Sequence, residues 1–303
     1  GDPIVGHTGT IGVPEFGTAF TRQMLDDTKP DKFADLVRIS GFSHGTDVWL
    51  NNAQDYIRSG TATMREVIST RDDIMNYLIL KGVENETAFK IMEIVRKGKK
   101  DLDDEQVATM KEHNVPDWYI DSCNKIKYMF PRAHAVAYTM MSFRMAWYKV
   151  YYPQEFYATY FTTKVANFDA ETILKGKDAI LAKMEEIDAK GTNATPKEKD
   201  DYTIYEVAYE MYARGYEFTP ARLGKSLATK FSVDNGKVLL PFVAIEGVGE
   251  NAAKAFQSEY EIKEFDTVEE AVKRAKLNRT AVEGLRNHGV FEGLAETDQL
   301  SMF

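Results

Sequence analysis

His134 and Tyr138 stand one helical turn apart in the segment FPRAHAVAYTMMSFRMAWYKVYYP, residues 130–153. On a helix that spacing places both side chains on one face, where an imidazole and a phenol can stack on, or hydrogen-bond to, one ligand. The same pair also fits a buried helix whose polar atoms are satisfied internally, and the residues alone leave both readings open. Charge sharpens the question. The chain carries a formal net charge of -9, yet no Asp or Glu occurs between Asp121 and Glu155, while Lys125, Lys127, Arg132, Arg144 and Lys149 all do. Just upstream, VRKGKK adds Arg96, Lys97, Lys99 and Lys100, either a solvated turn or a contact for a polyanion.

A second chemistry is carried by backbone. In AIEGVGENAAKAF, residues 244–256, Gly247 and Gly249 flank Val248 just before an apolar-periodic run. This is the helix-hairpin-helix pattern: glycines permit a turn whose N–H groups, at a helix N-terminus, face a phosphate. Lys254, one turn further, can add a cation. Such a hairpin grips duplex backbone without reading bases; a Gly-Val-Gly helix cap with no ligand is the alternative. LNRTAVEGLRNHGVFEGL, residues 277–294, looks like a degenerate second copy without paired glycines and is expected to be its packing partner.

Other constellations do not reach a reaction. Ser43–His44, bracketed by glycines in RISGFSHGTD, has no identifiable third member, so hydrolase chemistry is not expected. Asp101, Asp103 and Asp104 lie in a charged turn, read as a solvated loop. One cysteine and five histidines without ligand spacing suggest a reducing cytosol and no structural metal. No apolar run approaches the roughly 20 residues that span a bilayer, and no signal peptide is expected. The chain starts without Met and reads as part of a longer protein.

The elements that must position these groups are mostly helical, with a small β element. The pattern gives two short helices broken at Pro30, a helix stopping at Gly82, one beginning with Asn85 as N-cap, and one long helix after Pro131. That long helix is apolar nearly all round, so it is expected to be buried, with Met141, Met145 and Trp147 in the core. After residue 166 the texture changes to a polar amphipathic helix, a charged loop over 191–202, another helix, and strands around an Asp234-Asn235-Gly236 hairpin signal. The tail TDQLSMF has the form of an anchor peptide, with Leu300, Met302 and Phe303 as apolar plugs and Gln299 fixing register.

Together these stretches resemble the C-family bacterial replicative DNA polymerase III, alpha subunit, of the PolC type. IGVPEFGTAFTRQML, LVRISGFSHGTDVWLNNAQDYI, IVRKGKK and the 130–153 helix are similar to its fingers domain; ATKFSVDNGKVLLPFVAIEGVGENAAKAF is similar to its duplex-binding domain; QLSMF resembles its sliding-clamp motif. The tail motif at the very end, directly after the hairpin domain and with no OB-fold following, is what suggests the PolC type. The resemblance implies fingers at 1–166, a duplex-binding domain at 167–298 and a clamp-binding tail at 299–303.

It further implies that His134 and Tyr138, with Arg38, Ser40 and His44, contact an incoming dNTP. Arg96, Lys97, Lys99, Lys100, Arg144 and Lys149, with Gly247, Val248, Gly249 and Lys254, would contact primer-template DNA. Gln299, Leu300, Met302 and Phe303 would hold the sliding clamp, alongside other replisome subunits, in a nucleoid-associated, cytoplasmic assembly with no membrane contact. An acid beside a triphosphate would cost on the order of several kcal/mol at an effective dielectric near 20, which accounts for the acid-free helix. No catalytic residue and no metal ligand is expected in this chain: the carboxylates that hold Mg2+ with the dNTP lie on the parent's palm, so the chain alone is expected to be inactive. A non-catalytic DNA- and clamp-binding adaptor is the competing reading.

Overall fold

A computed structural model describes residues 2–297 of the chain. Its α-helices are α1 Ala19–Thr28, α2 Phe33–His44, α3 Gln54–Arg58, α4 Arg71–Leu80, α5 Asn85–Lys97, α6 Asp104–Glu112, α7 Asp117–Lys125 and α8 Arg132–Tyr151. They continue with α9 Pro153–Thr163, α10 Ala170–Leu174, α11 Lys177–Lys190, α12 Pro196–Ala213, α13 Glu250–Ile262, α14 Val268–Ala275 and α15 Arg279–His288. The strands among the described residues are β1 Phe218–Thr219, β2 Ser232–Asp234 and β3 Lys237–Leu239. The mainly helical class with a small β element is what the sequence indicates.

The chain packs as two compact units. One is Val13–Ala146; the other joins the stretch through Gly12 to the chain from Trp147 onward. This division by packing falls inside α8, while the division by sequence texture falls at 166. One helix can serve two cores without any change in composition.

In the first unit, Ile39, Phe42, Trp49, Ile74, Leu78, Ile91, Val95, Met110 and Tyr119 form a continuous core. Local signals set the helices around it. Asp103 is the N-cap of α6, accepting from Gln106 N at 2.8 Å, so the acidic turn is a helix start and not a free loop. Glu84, not Asn85, caps α5, because its carboxylate reaches Thr87 N at 3.1 Å.

In the second unit, Phe156, Tyr157, Phe161, Phe168, Phe218 and Phe231 make an aromatic core. β3 pairs antiparallel with β2 through the Asn235–Gly236 turn and parallel with β1. Both turn residues have positive φ, 50° and 75°, as a two-residue hairpin of the primed kind requires. The segment expected as a charged loop is in part the first turns of α12: Thr195 caps it reciprocally with Glu198, and Pro196 occupies its first position.

The long helix departs most from expectation. Its buried stripe is Ala135, Thr139, Ser142 and Lys149, at i, i+4, i+7 and i+14, while Tyr138, Met141, Phe143, Trp147 and Tyr148 are exposed and Met145 is half-buried. A helix apolar all round gives the pattern no direction. Small residues let it approach its neighbours on one side, and the large rings are left on the other.

Candidate functional site

The loop between α7 and α8 is held beside the end of α2 by a short bridge. Thr46 N donates to Tyr128 O at 2.9 Å and Lys127 N to Thr46 O at 3.0 Å. Gly45 makes the approach possible, since a Cβ there would lie 3.0 Å from Tyr128 O. Two residues beyond the bridge, Phe130 stacks on His44 with centroids 4.6 Å apart and planes at 27°. Tyr138 lies on the same group, 6.0 Å and 26° from Phe130 and 6.1 Å from His44. His134 meets only the edge of Phe130, at 5.9 Å and 66°. Tyr138 is 40% exposed and His134 is also open to solvent, so the rings end in an uncovered face rather than in a core. Planar rings with an open face offer a nucleobase a stacking platform.

The structure thus brings His44, His134 and Tyr138 together and adds Phe130. It does not bring Arg38 and Ser40 with them. The Arg38 guanidinium donates to the carbonyls of Met64, at 2.9 Å, and Val67, and sits 3.5 Å from the Asp73 carboxylate. Ser40 is 1% exposed inside α2. Both are corrections to the nucleotide set: one group is occupied by backbone, the other has no path to a surface ligand.

The cations also separate. Arg144 is exposed and makes no ion pair among the described residues. Lys149 is 4% exposed: its ammonium donates to Gly9 O at 2.9 Å and Ile11 O at 2.6 Å and pairs with Glu210 at 2.7 Å. Tyr157 OH donates to the same carboxylate at 2.5 Å, and burial raises that phenol's pKa. Lys149 is therefore removed from the DNA-contacting set; a helical spacing cannot say which lysine of a basic run faces inward. Arg96 donates twice to Glu93 at 2.8 Å and holds that carboxyl down to about 2, with Lys97 3.4 Å from the same group. Lys99 and Lys100 are exposed.

The hairpin is built of backbone. Gly247 is left-handed at φ +85°, and a Cβ there would lie 2.8 Å from Thr280 O of α15. Gly249 is the N-cap of α13, with no side chain capping the amides that follow. The N–H groups of Gly247 and Gly249 donate to no group among the described residues. Val248 plays another part than expected: its side chain is buried and its amide donates to Ile245 O at 3.1 Å, so it anchors the turn. Lys254 is held by Glu250 at 2.5 Å. Gly284 of α15 lies so close that a Cβ would overlap Glu246 O, which makes the degenerate copy the hairpin's packing partner.

Gln299, Leu300, Met302 and Phe303 lie outside the described residues. Among the described residues no three His, Cys, Asp or Glu side chains gather as a metal site. No helix among them is long and apolar enough to cross a membrane.

Two family matches fall on these regions. Residues 4–115 match the bacterial DNA polymerase III alpha subunit finger domain, which takes in His44 and stops before α8. Residues 215–300 match the helix-hairpin-helix motif. Over 97% of its length the chain is 55% identical to the DNA polymerase III PolC-type of Caldanaerobacter subterraneus. It is 55% identical over 98% to that of Clostridium perfringens and 53% identical over 98% to that of Bacillus subtilis. It spans about a fifth of the length of each relative, 20–21%. The chain belongs to the PolC-type DNA polymerase III family.

Proposed function

We propose that this chain supplies the nucleotide-receiving and duplex-gripping parts of a replicative DNA-directed DNA polymerase. A base of the incoming dNTP stacks on the His44–Phe130–Tyr138 rings, with His134 at their edge. Arg144, Lys99 and Lys100 steer template phosphates, and the Gly247–Gly249 amides hold the duplex backbone. The phosphates and their Mg2+ meet carboxylates supplied by other parts of the parent protein, so the chain alone performs no nucleotidyl transfer. The tail from Gln299 to Phe303 engages the sliding clamp.

The observation that supports this reading best is the ring group itself: stacked and open to solvent, with His134 and Tyr138 on a helix without acids. The duplex-gripping half of the reading is tested by fluorescence anisotropy of a labelled primer-template at two salt concentrations, and the nucleotide half by the loss of dNTP affinity expected in Tyr138→Ala. Gly247→Val/Gly249→Val is expected to abolish most of the affinity, and Arg144→Glu to weaken it and lower the salt slope by about one. Unchanged binding by both variants would remove DNA from the account. Metal-dependent primer extension by the purified chain would contradict its dependence on outside carboxylates.

A further inference from the structure

Glu15 lies in the turn before α1 with φ 69°, a left-handed conformation that a glycine adopts freely and a glutamate does not. Its neighbours Val13 and Phe16 are buried and pin the turn. Its carboxylate is hydrogen-bonded to Nε2 of His44. A strained residue kept where glycine would relax directs attention to its side chain. A carboxylate accepts only, so Nε2 carries the proton, and a neutral imidazole then presents a lone pair at Nδ1. Nδ1 makes no hydrogen bond among the described residues, and the side chain is 34% exposed.

We infer that Glu15 is a positioning residue for His44, and that His44 Nδ1 accepts a hydrogen bond from the sugar 3′-hydroxyl of a bound deoxynucleotide. This rests on the nucleotide reading above. The choice of ligand group follows from chemistry: a site serving all four bases cannot depend on base edges, whose donor and acceptor patterns differ. Of the groups all four nucleotides share, phosphate oxygens accept, and the sugar hydroxyl donates. Phe130 against the face of His44 keeps the ring in that orientation.

The experiment has two arms, on the full 303-residue chain. The first reads the side-chain 15N shifts of His44 without ligand, near pH 8, where an ordinary histidine is neutral. Wild type is expected to show Nε2 protonated and Nδ1 not; Glu15→Gly, which relieves the backbone strain and so keeps the fold, is expected to show mixed tautomers. The second compares the affinities of dTTP and its 2′,3′-dideoxy analogue. Wild type is expected to prefer the deoxynucleotide by about three- to tenfold, the worth of one neutral hydrogen bond. Glu15→Gly is expected to lose that preference, and Glu15→Gln, whose amide oxygen still accepts from Nε2–H, to keep much of it.

Equal affinities in wild type overturn the hydroxyl contact. A Glu15→Gly chain that weakens both nucleotides alike shows a structural role only and overturns the positioning role. Failure of wild type to bind either nucleotide refutes the nucleotide reading and the hydroxyl contact with it, while the 15N spectra still decide what Glu15 does to His44.

Discussion

The ring group around Tyr138 and the hairpin around Gly247 are made of opposite materials. The first is a surface presented by side chains; the second is a path of backbone in which Gly247 and Gly284 leave no room for a side chain. At the rings, deletion of a side chain is expected to remove the proposed ligand contact and leave the fold. At the hairpin, addition of one carbon disturbs the packing of the turn on α15, because Glu246 O and Thr280 O stand where a Cβ would go.

The cations of α8 extend the same contrast and give the largest expected effect. Lys149→Ala leaves Glu210 buried without its ammonium and is expected to cost about 3–5 kcal/mol, read as a lower urea midpoint. Gly284→Ala comes next, at about 1–3 kcal/mol from overpacking against Glu246 O, with loss of duplex affinity in anisotropy. Tyr138→Ala is expected to weaken nucleotide binding by about 1–3 kcal/mol while shifting stability by no more than about 0.5 kcal/mol, since the ring is exposed. If thermal melts showed it destabilised as strongly as Gly284→Ala, the ring group would be core and the contrast would fail.

A smaller effect separates the two regions by pH. His288, at the end of α15, accepts from Ala221 N at 2.9 Å through Nε2, and burial pushes its pKa below the usual 6.5. A helix C-terminus favours the imidazolium, yet here desolvation wins. The folded pKa lies below the unfolded one, so this contribution to stability is present above about pH 6.5 and is lost as pH falls through the lowered folded value. Urea midpoints measured downward from neutral pH should fall in wild type and flatten in His288→Leu. The smallest effect is Arg144→Gln: no change in stability, and a salt slope of duplex binding reduced by about one.

The hairpin was legible because its information is local: two glycines, an apolar anchor and a helix start lie within a few residues. The Asn235–Gly236 turn and most helix limits were legible for the same reason. The ring group was half legible. Tyr138 and His134 share a helical face by spacing, but Phe130 joins them through a bridge at Thr46, and Glu15 reaches His44 across 29 residues. Its left-handed φ leaves no trace in residue type. Burial along α8 departs from the sequence pattern because apolar content does not orient a helix; the small residues at 135, 139 and 142 are the available signal. Lys149 could not be told from Arg144, since its partner Glu210 stands 61 residues away.

The most direct test of the division of labour is one paired titration. A fluorescent dNTP and a labelled duplex are each titrated with wild type, Tyr138→Ala and Gly247→Val/Gly249→Val. Crossed losses are expected: nucleotide affinity falls in the tyrosine variant alone, and duplex affinity in the glycine variant alone. Parallel losses of both ligands in either folded variant would contradict it.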